Sequence, residues 1–214
     1  MKVTLLCSDE THPINSYLQR WIEHTDKDLE AELVRQKNAA LGGDILFLIS
    51  CSEIVTATDR GRYRHTLVLH ASDLPAGRGW SPHVWEISQG ATFITLSLLE
   101  AAESVDSGKI WKKMQIPVPE HAIWDEINEL LFEAEVLLID FAIKNAHSIS
   151  PMPQSDNSEA TYNPRRTPRD SMIDPNKCIA EQFNLIRVCD PNRFPAYFML
   201  HGKKYILKVE KRNE

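Results

Sequence analysis

The chain has no excess of positive charge: 24 lysines and arginines stand against 30 aspartates and glutamates, a formal net charge of −6 over 214 residues. Sequence-independent nucleic-acid binding needs a basic face, so no nucleic-acid partner is expected. Long apolar runs are missing too. The longest are about 6 to 8 residues, far short of the roughly 20 that cross a bilayer, so no membrane partner is expected either. The N-terminus MKVTLLCSDETH turns polar at Ser8, too early for the apolar stretch of a secretory signal, which points to a cytoplasmic protein. Cysteine is scarce and scattered: Cys7, Cys51, Cys178 and Cys189 form no C-x-x-C pair. Neither a disulfide framework nor a zinc site is expected; the thiols read as free and buried, and no metal is assigned. Glycine is absent from residues 8–12, the turn where a dinucleotide-binding protein carries the glycines that cradle phosphate. This turn holds two acids instead, with Ser8 or Thr11 as the cap of the next helix and Asn15 within reach of a ligand.

What is present alternates between strand and helix. Residues 2–7 (KVTLLC), 44–50 (DILFLIS) and 65–70 (HTLVLH) are short apolar runs suited to buried parallel strands, with a further short strand at 32–34. Residues 12–24 place Ile14, Tyr17, Leu18, Trp21 and Ile22 along one helical stripe. Residues 81–89 read as a helix with Ser81 as cap, Pro82 in the first turn and Gly90 as the stop. Residues 92–99 and 109–118 flank a V-D-S-G turn and extend the sheet in antiparallel fashion. A long helix over 119–146 follows. Strands separated by helices imply parallel pairing through right-handed crossovers. The expected fold is α/β: a Rossmann-like, mostly parallel twisted sheet with flanking helices, plus a small C-terminal helix and β-hairpin extension. Its parts are a main domain over 1–148, a linker over 149–162 rich in Ser, Pro, Asn and Asp, and an extension over 163–214. The extension holds the basic run NPRRTPR, a helix over 175–189 and a hairpin turning at His201-Gly202.

Two stretches carry chemistry. LHASDLPAGRGWSPHVWEISQG (69–90) sets His70 at the end of an apolar strand, and EAAESVDSGKIWKKMQIPVP (100–119) sets Asp106 in a tight turn. A strand-end histidine and a turn aspartate can meet as a proton-handling pair, in which the carboxylate orients the imidazole and supports its charged form. Together the stretches resemble the folate-dependent formyltransferase family, whose pattern reads roughly N-x-H-P/A-S-L-L-P-x-x-x-G…D-x-G. The resemblance implies that the main domain is catalytic, that 10-formyltetrahydrofolate is the co-substrate and that His70 and Asp106 are the catalytic residues. By the same resemblance Ser50, Cys51 and Ile54, after the central strand, and Ala101, Glu103 and Val105, before Asp106, line the pterin pocket. One position departs from the pattern. Val68 stands where the family has an asparagine that donates to the carbonyl oxygen, so that donor must come from a protonated His70, a backbone amide or water, or else be lost.

Arg78 and Trp80 lie in the loop after His70, suited to hold a charged or planar substrate. TYNPRRTPRDSMID (161–174), QFNLIRVCDP (182–191) and AYF (196–198) resemble the tail of sugar-nucleotide N-formyltransferases, in particular the short enzymes of pseudaminic-type sugar pathways. There Arg165, Arg166 and Arg169 would pair with a diphosphate and Tyr162 would stack on a base or sugar. The expected activity is formyl transfer to the amine of a nucleotide-linked amino sugar. The alternatives are a methionyl-tRNA formyltransferase-like enzyme, disfavoured by the acidic charge and short C-terminal region, and a catalytically impaired folate or sugar-nucleotide binding protein.

Overall fold

The computed structural model describes residues 1–155 and 159–212; positions 156–158 of the expected linker lie outside the described residues. A six-stranded sheet runs in the order β2-β1-β3-β4-β6-β7. Strands β1 (Lys2–Leu6), β2 (Glu30–Val34), β3 (Gly43–Leu48) and β4 (Tyr63–His70) are parallel. Strands β6 (Phe93–Glu100) and β7 (Ile110–Pro117) extend the sheet antiparallel. The α/β, Rossmann-like, mostly parallel architecture expected from the sequence is the one observed. The apolar runs KVTLL and ILF become its buried centre because strands covered on both faces need side chains without polar atoms. Helices α1 (Asn15–His24) and α4 (Trp124–Asn145) cover one face, where Leu5, Phe47, Leu67 and Leu98 pack against Leu18, Leu131 and Leu138. The opposite face carries two smaller apolar clusters, one around Leu6, Leu46 and Tyr63 and one around Leu74, Leu99 and Ile110. Loops cover this second face, and these loops hold the site. Among the described residues no helix is long and apolar enough to cross a membrane.

Several local expectations shift by a turn. Helix α1 begins at Asn15, not at residue 12, and no side chain caps it. Ser8 bonds to Ser52 instead, and Thr11 donates to Asp9. Asn15 is not free for a ligand: its amide nitrogen donates to the carbonyls of Asp9, Glu10 and His12, and its oxygen takes Arg35. Helix α3 (Pro82–Ser88) keeps its proline start, but Ser81 sits at φ 46 and makes no cap bond. Gly90, at φ 103, ends that helix as expected, with Ala91 N–H returning to Glu86 O. Helix α4 starts five residues late, at Trp124. Ahead of it Pro119 O and Ala122 O accept from buried Arg187, and Ile123 N–H is taken by Glu126 Oε2 at the helix start. Arg187 closes helix α5 (Ile179–Arg187), which begins past the expected residue 175 and packs on α3. The expected hairpin is β9 (Ala196–Leu200) with β10 (Lys203–Leu207). Cys178 corrects another expectation: it is exposed, whereas Cys7 and Cys189 are buried.

Two short strands have no counterpart in the sequence reading. β5 (Arg78–Gly79) and β8 (Tyr162–Asn163) pair in parallel, laying the chain beyond residue 159 across the loop that follows His70.

Candidate active site

Strand β4 alternates, so Leu67 and Leu69 point into the core under α4 while Thr66, Val68 and His70 share the loop-covered face. His70 is 7% exposed. Its Nε2 lies 2.8 Å from Gly77 O; a carbonyl only accepts, so this nitrogen carries the proton. Its Nδ1 faces Asp106 Oδ1 at 3.6 Å. Both ring nitrogens thus face acceptor oxygens. Asp106 itself sits at φ 54, and its second carboxylate oxygen accepts Gly79 N–H at 3.0 Å. The two residues expected to meet do so, within the reach of one bridging water.

The loop between them is closely fitted. Gly77, at φ 72, would place a Cβ 2.8 Å from Ser72 Cβ, and Gly79, at φ 95, would place one 2.4 Å from Asn163 O. Gly77 N–H donates to Thr161 Oγ1, Arg78 N–H to Thr161 O and Trp80 N–H to Asn163 O. Gly79→Ala is therefore expected to lever β8 off β5, costing at least about 1 kcal/mol of stability because both the φ and the space are wrong. Thermal unfolding and proteolysis after residue 150 would detect it; an unchanged melting curve would contradict the close approach.

Val68 packs against the Leu74, Leu99 and Ile110 cluster, so the place of the expected donor is apolar. At the start of β4 a cavity of about 300 Å³ is lined by residues 63–66 together with Arg60, Gly61, Glu100 and Ala101. The Thr66 hydroxyl is buried without a hydrogen-bond partner among the described residues. Arg60, at the end of the short helix α2 (Ala57–Arg60), links the two loops expected to hold a pterin, donating to Val55 O at 2.9 Å and to Glu103 at 3.3 Å. Of the expected pocket residues, Ala101 lines this cavity, Ile54 is 70% exposed and Val105 is exposed. The Glu103 carboxylate points to solvent and Arg60 rather than into a pocket. Cys51 is half-buried, and burial raises its thiol pKa.

Ser50 takes a different part. It sits at φ 46 with Oγ 3.2 Å from His12 Nε2. Ile14 N–H donates to His12 Nδ1 at 3.3 Å, so the His12 proton is on Nε2 and the ring donates to Ser50. A histidine in that tautomer cannot deprotonate the hydroxyl, and serine-hydrolase chemistry is excluded here. Burial, and then Arg193, hold the His12 pKa down at about 4. His83, unforeseen in the sequence, is likewise held at about 4 by burial and then by His70, His12 and Arg166.

The expected acceptor residues divide into two groups. Arg165 lies over the Trp80 ring at 4.9 Å, both exposed, and Arg78 bonds Tyr162 Oη at 3.1 Å beside its exposed ring. Arg169 is exposed on a single 3-10 turn. Arg166 instead packs on Trp85 and donates to Asp170 O and Ser171 Oγ, holding that turn together. The three arginines do not form one solvent-facing cluster. Gln154 and Thr161, inside the expected linker, prove to be part of the site; a polar stretch without periodicity gave no signal of either.

No family model matches the chain. It is 29% identical over 178 residues to methionyl-tRNA formyltransferase of Acidobacterium capsulatum, an alignment spanning 81% of this chain and 56% of that protein. The chain spans about half the length of the curated relatives it matches. Among solved structures it is similar to methionyl-tRNA formyltransferase from Clostridium thermocellum, with a TM-score of 0.78 at 20% identity over 96% of each chain. HypX from Aquifex aeolicus in complex with tetrahydrofolic acid aligns with a TM-score of 0.75 at 21% identity, over 95% of this chain and 36% of that one. A sugar N-formyltransferase from a Shewanella species aligns with a TM-score of 0.71 at 14% identity, over 100% and 99%. The likeness, by sequence and by fold, is to formyltransferases.

Proposed function

Taking that likeness as the starting point, we propose that the chain transfers a formyl group from 10-formyltetrahydrofolate to the amine of a nucleotide-linked amino sugar. The observation that carries this reading is the buried His70–Asp106 pair, 3.6 Å apart, at the loop-covered face of the sheet. The acceptor amine forms a bond to the formyl carbon and loses a proton, while the bond from that carbon to the folate nitrogen breaks and the nitrogen gains one. Asp106 orients His70, and His70 moves the proton. The Nε2–H now given to Gly77 O is the donor that, turned to the carbonyl oxygen, replaces what Val68 lacks. For the folate, the cavity beside Thr66 and Ala101 is the candidate pocket. None of Ser50, Cys51, Ile54 and Val105 lines this cavity. No metal is invoked.

For the acceptor, the exposed Trp80–Arg165 pair, Arg78 with Tyr162, and Arg169 suit a base or sugar ring and a diphosphate. Turnover with 10-formyltetrahydrofolate and a panel of UDP-, dTDP- and GDP-amino sugars, pseudaminic-type precursors included, tests the assignment. The curated sequence relatives favour a second reading, in which methionyl-tRNA is the acceptor. Formylation of the tRNA but of no sugar would establish it. Binding of both folate and sugar nucleotide without turnover would point to an inactive binding protein.

Neutralising Arg165 and Arg169 together is expected to raise KM for the sugar nucleotide about fivefold, with KM for the folate unchanged. Exposed charged contacts contribute about 1 kcal/mol or less each. The effect should shrink as salt rises, because solvated pairs are screened. An unchanged KM would move the diphosphate away from this run.

A further inference from the structure

Gln154 lies in the polar stretch between α4 and β8, yet its amide joins segments far apart in the chain at the centre of the site. Nε2 donates to Asp106 O at 2.7 Å and to Gly108 O at 3.0 Å, and Oε1 accepts from Arg78 at 2.7 Å. Asp106 at φ 54 is a non-glycine residue in the left-handed region, a conformation that persists only where its surroundings over-determine it. Gln154 bonds the carbonyl of this very residue, so it fixes the backbone from which the carboxylate is aimed. Its other arm holds Arg78, whose two neighbours contribute the remaining bonds of the pair. Gly77 O accepts the hydrogen bond from His70 Nε2–H, and Gly79 N–H donates to Asp106. The segment carrying Gln154 is itself anchored: Met152 and Ile110 exchange backbone hydrogen bonds at 2.9 and 2.7 Å, against the edge strand β7.

We propose that Gln154 is a positioning residue for the His70–Asp106 pair, locking the Asp106 turn and the 77–79 loop in mutual register. The inference rests on the formyl-transfer reading for its kinetic consequence, but not for its structural one. Only an amide serves both arms. A glutamate keeps the Arg78 arm but turns a carboxylate on two carbonyl oxygens, and a leucine loses both arms at nearly equal volume.

The test uses the full chain with Gln154→Leu and Gln154→Glu. With an acceptor that the wild type turns over, both variants should lose about tenfold or more in kcat, since misplacement of about 1 Å can cost a hundredfold. KM for either substrate should change less than about twofold. A Glu variant close to wild type would show that only the Arg78 arm matters and would overturn the proposed lock on the turn. A Leu variant within about twofold of wild-type kcat, or one losing rate only in proportion to lost folded protein, would overturn the proposal altogether. NMR of 15N-histidine-labelled protein without substrates provides a readout independent of activity. In Gln154→Leu the His70 ring resonances should shift while those of exposed His24 and His201 stay in place; unchanged His70 resonances would refute the positioning role. Absence of wild-type turnover with every acceptor would defeat the formyl-transfer reading, and the ring resonances would still decide the role of Gln154.

Discussion

Replacing His70 with asparagine is expected to abolish formyl transfer while leaving the protein folded. General acid–base groups contribute about 10²–10⁴-fold, and among the described residues His70 is the imidazole paired with Asp106. His12 and His83 cannot stand in: burial holds both near pKa 4, so neither is an imidazolium at neutral pH. Asp106→Asn should be comparably damaging, since it removes the carboxylate that faces Nδ1. The measurement is single-turnover formyl transfer on protein whose melting curve matches wild type. Retention of more than about a tenth of wild-type rate would remove His70 from the mechanism.

His70 and Asp106 were legible because each sits in a short local pattern, a strand end followed by a proline–glycine loop and a tight V-D-S-G turn. The sheet was legible because its central strands are apolar runs of the right length. The start of α4 was not, because tertiary contacts lie just ahead of it: Arg187, distant in the chain, donates to the carbonyls of Pro119 and Ala122. Ser81 obeys the rule for a cap residue yet adopts φ 46, because Trp80 just before it is pinned to Asn163. The β5–β8 pairing and Gln154 were beyond reach for the same reason. Two-residue strands have no periodicity, and a glutamine in a Ser- and Pro-rich stretch looks like any solvated residue.

The second large effect concerns stability. Glu135 on α4 is buried in the apolar layer under the sheet, and one carboxylate oxygen has no hydrogen-bond partner among the described residues. Burial pushes its pKa up from 4.5 to about 8. The folded protein therefore holds a proton that the unfolded chain releases above about pH 4.5, and the stability linked to Glu135 falls as pH rises from 4.5 to 8. At pH 7 the gap amounts to about 3 kcal/mol. Glu135→Gln keeps the shape without an ionisable group, so it should be more stable by roughly that amount at pH 7, a gain in Tm of several degrees. The gain should fade towards pH 4.5. His12 and His83 act in the opposite sense: their folded pKa values are depressed from 6.5 to about 4, so the stability linked to them is complete above 6.5 and is lost as pH falls towards 4. Wild-type stability should peak near pH 6.5, and the Gln variant should lose the alkaline limb. Urea denaturation at pH 5, 6.5 and 8 separates these limbs; a Gln variant with no gain at pH 8 would refute the buried-acid account.

The backbone ladder between residues 78–79 and 162–163 has an evolutionary consequence. In many two-part enzymes the segment that selects the substrate can drift or be exchanged while the segment that performs the chemistry stays constant. Here the chain carrying Tyr162 and Arg165 is hydrogen-bonded, residue by residue, to the loop whose glycines accept from the His70 ring N–H and donate to the Asp106 carboxylate. On the proposed function, recognition and catalysis would share one set of bonds. A graft of a foreign C-terminal extension beginning after residue 150 would therefore bring new specificity only together with its own Thr161 and Asn163 contacts. Selection for a new acceptor would act on rate and on choice at once.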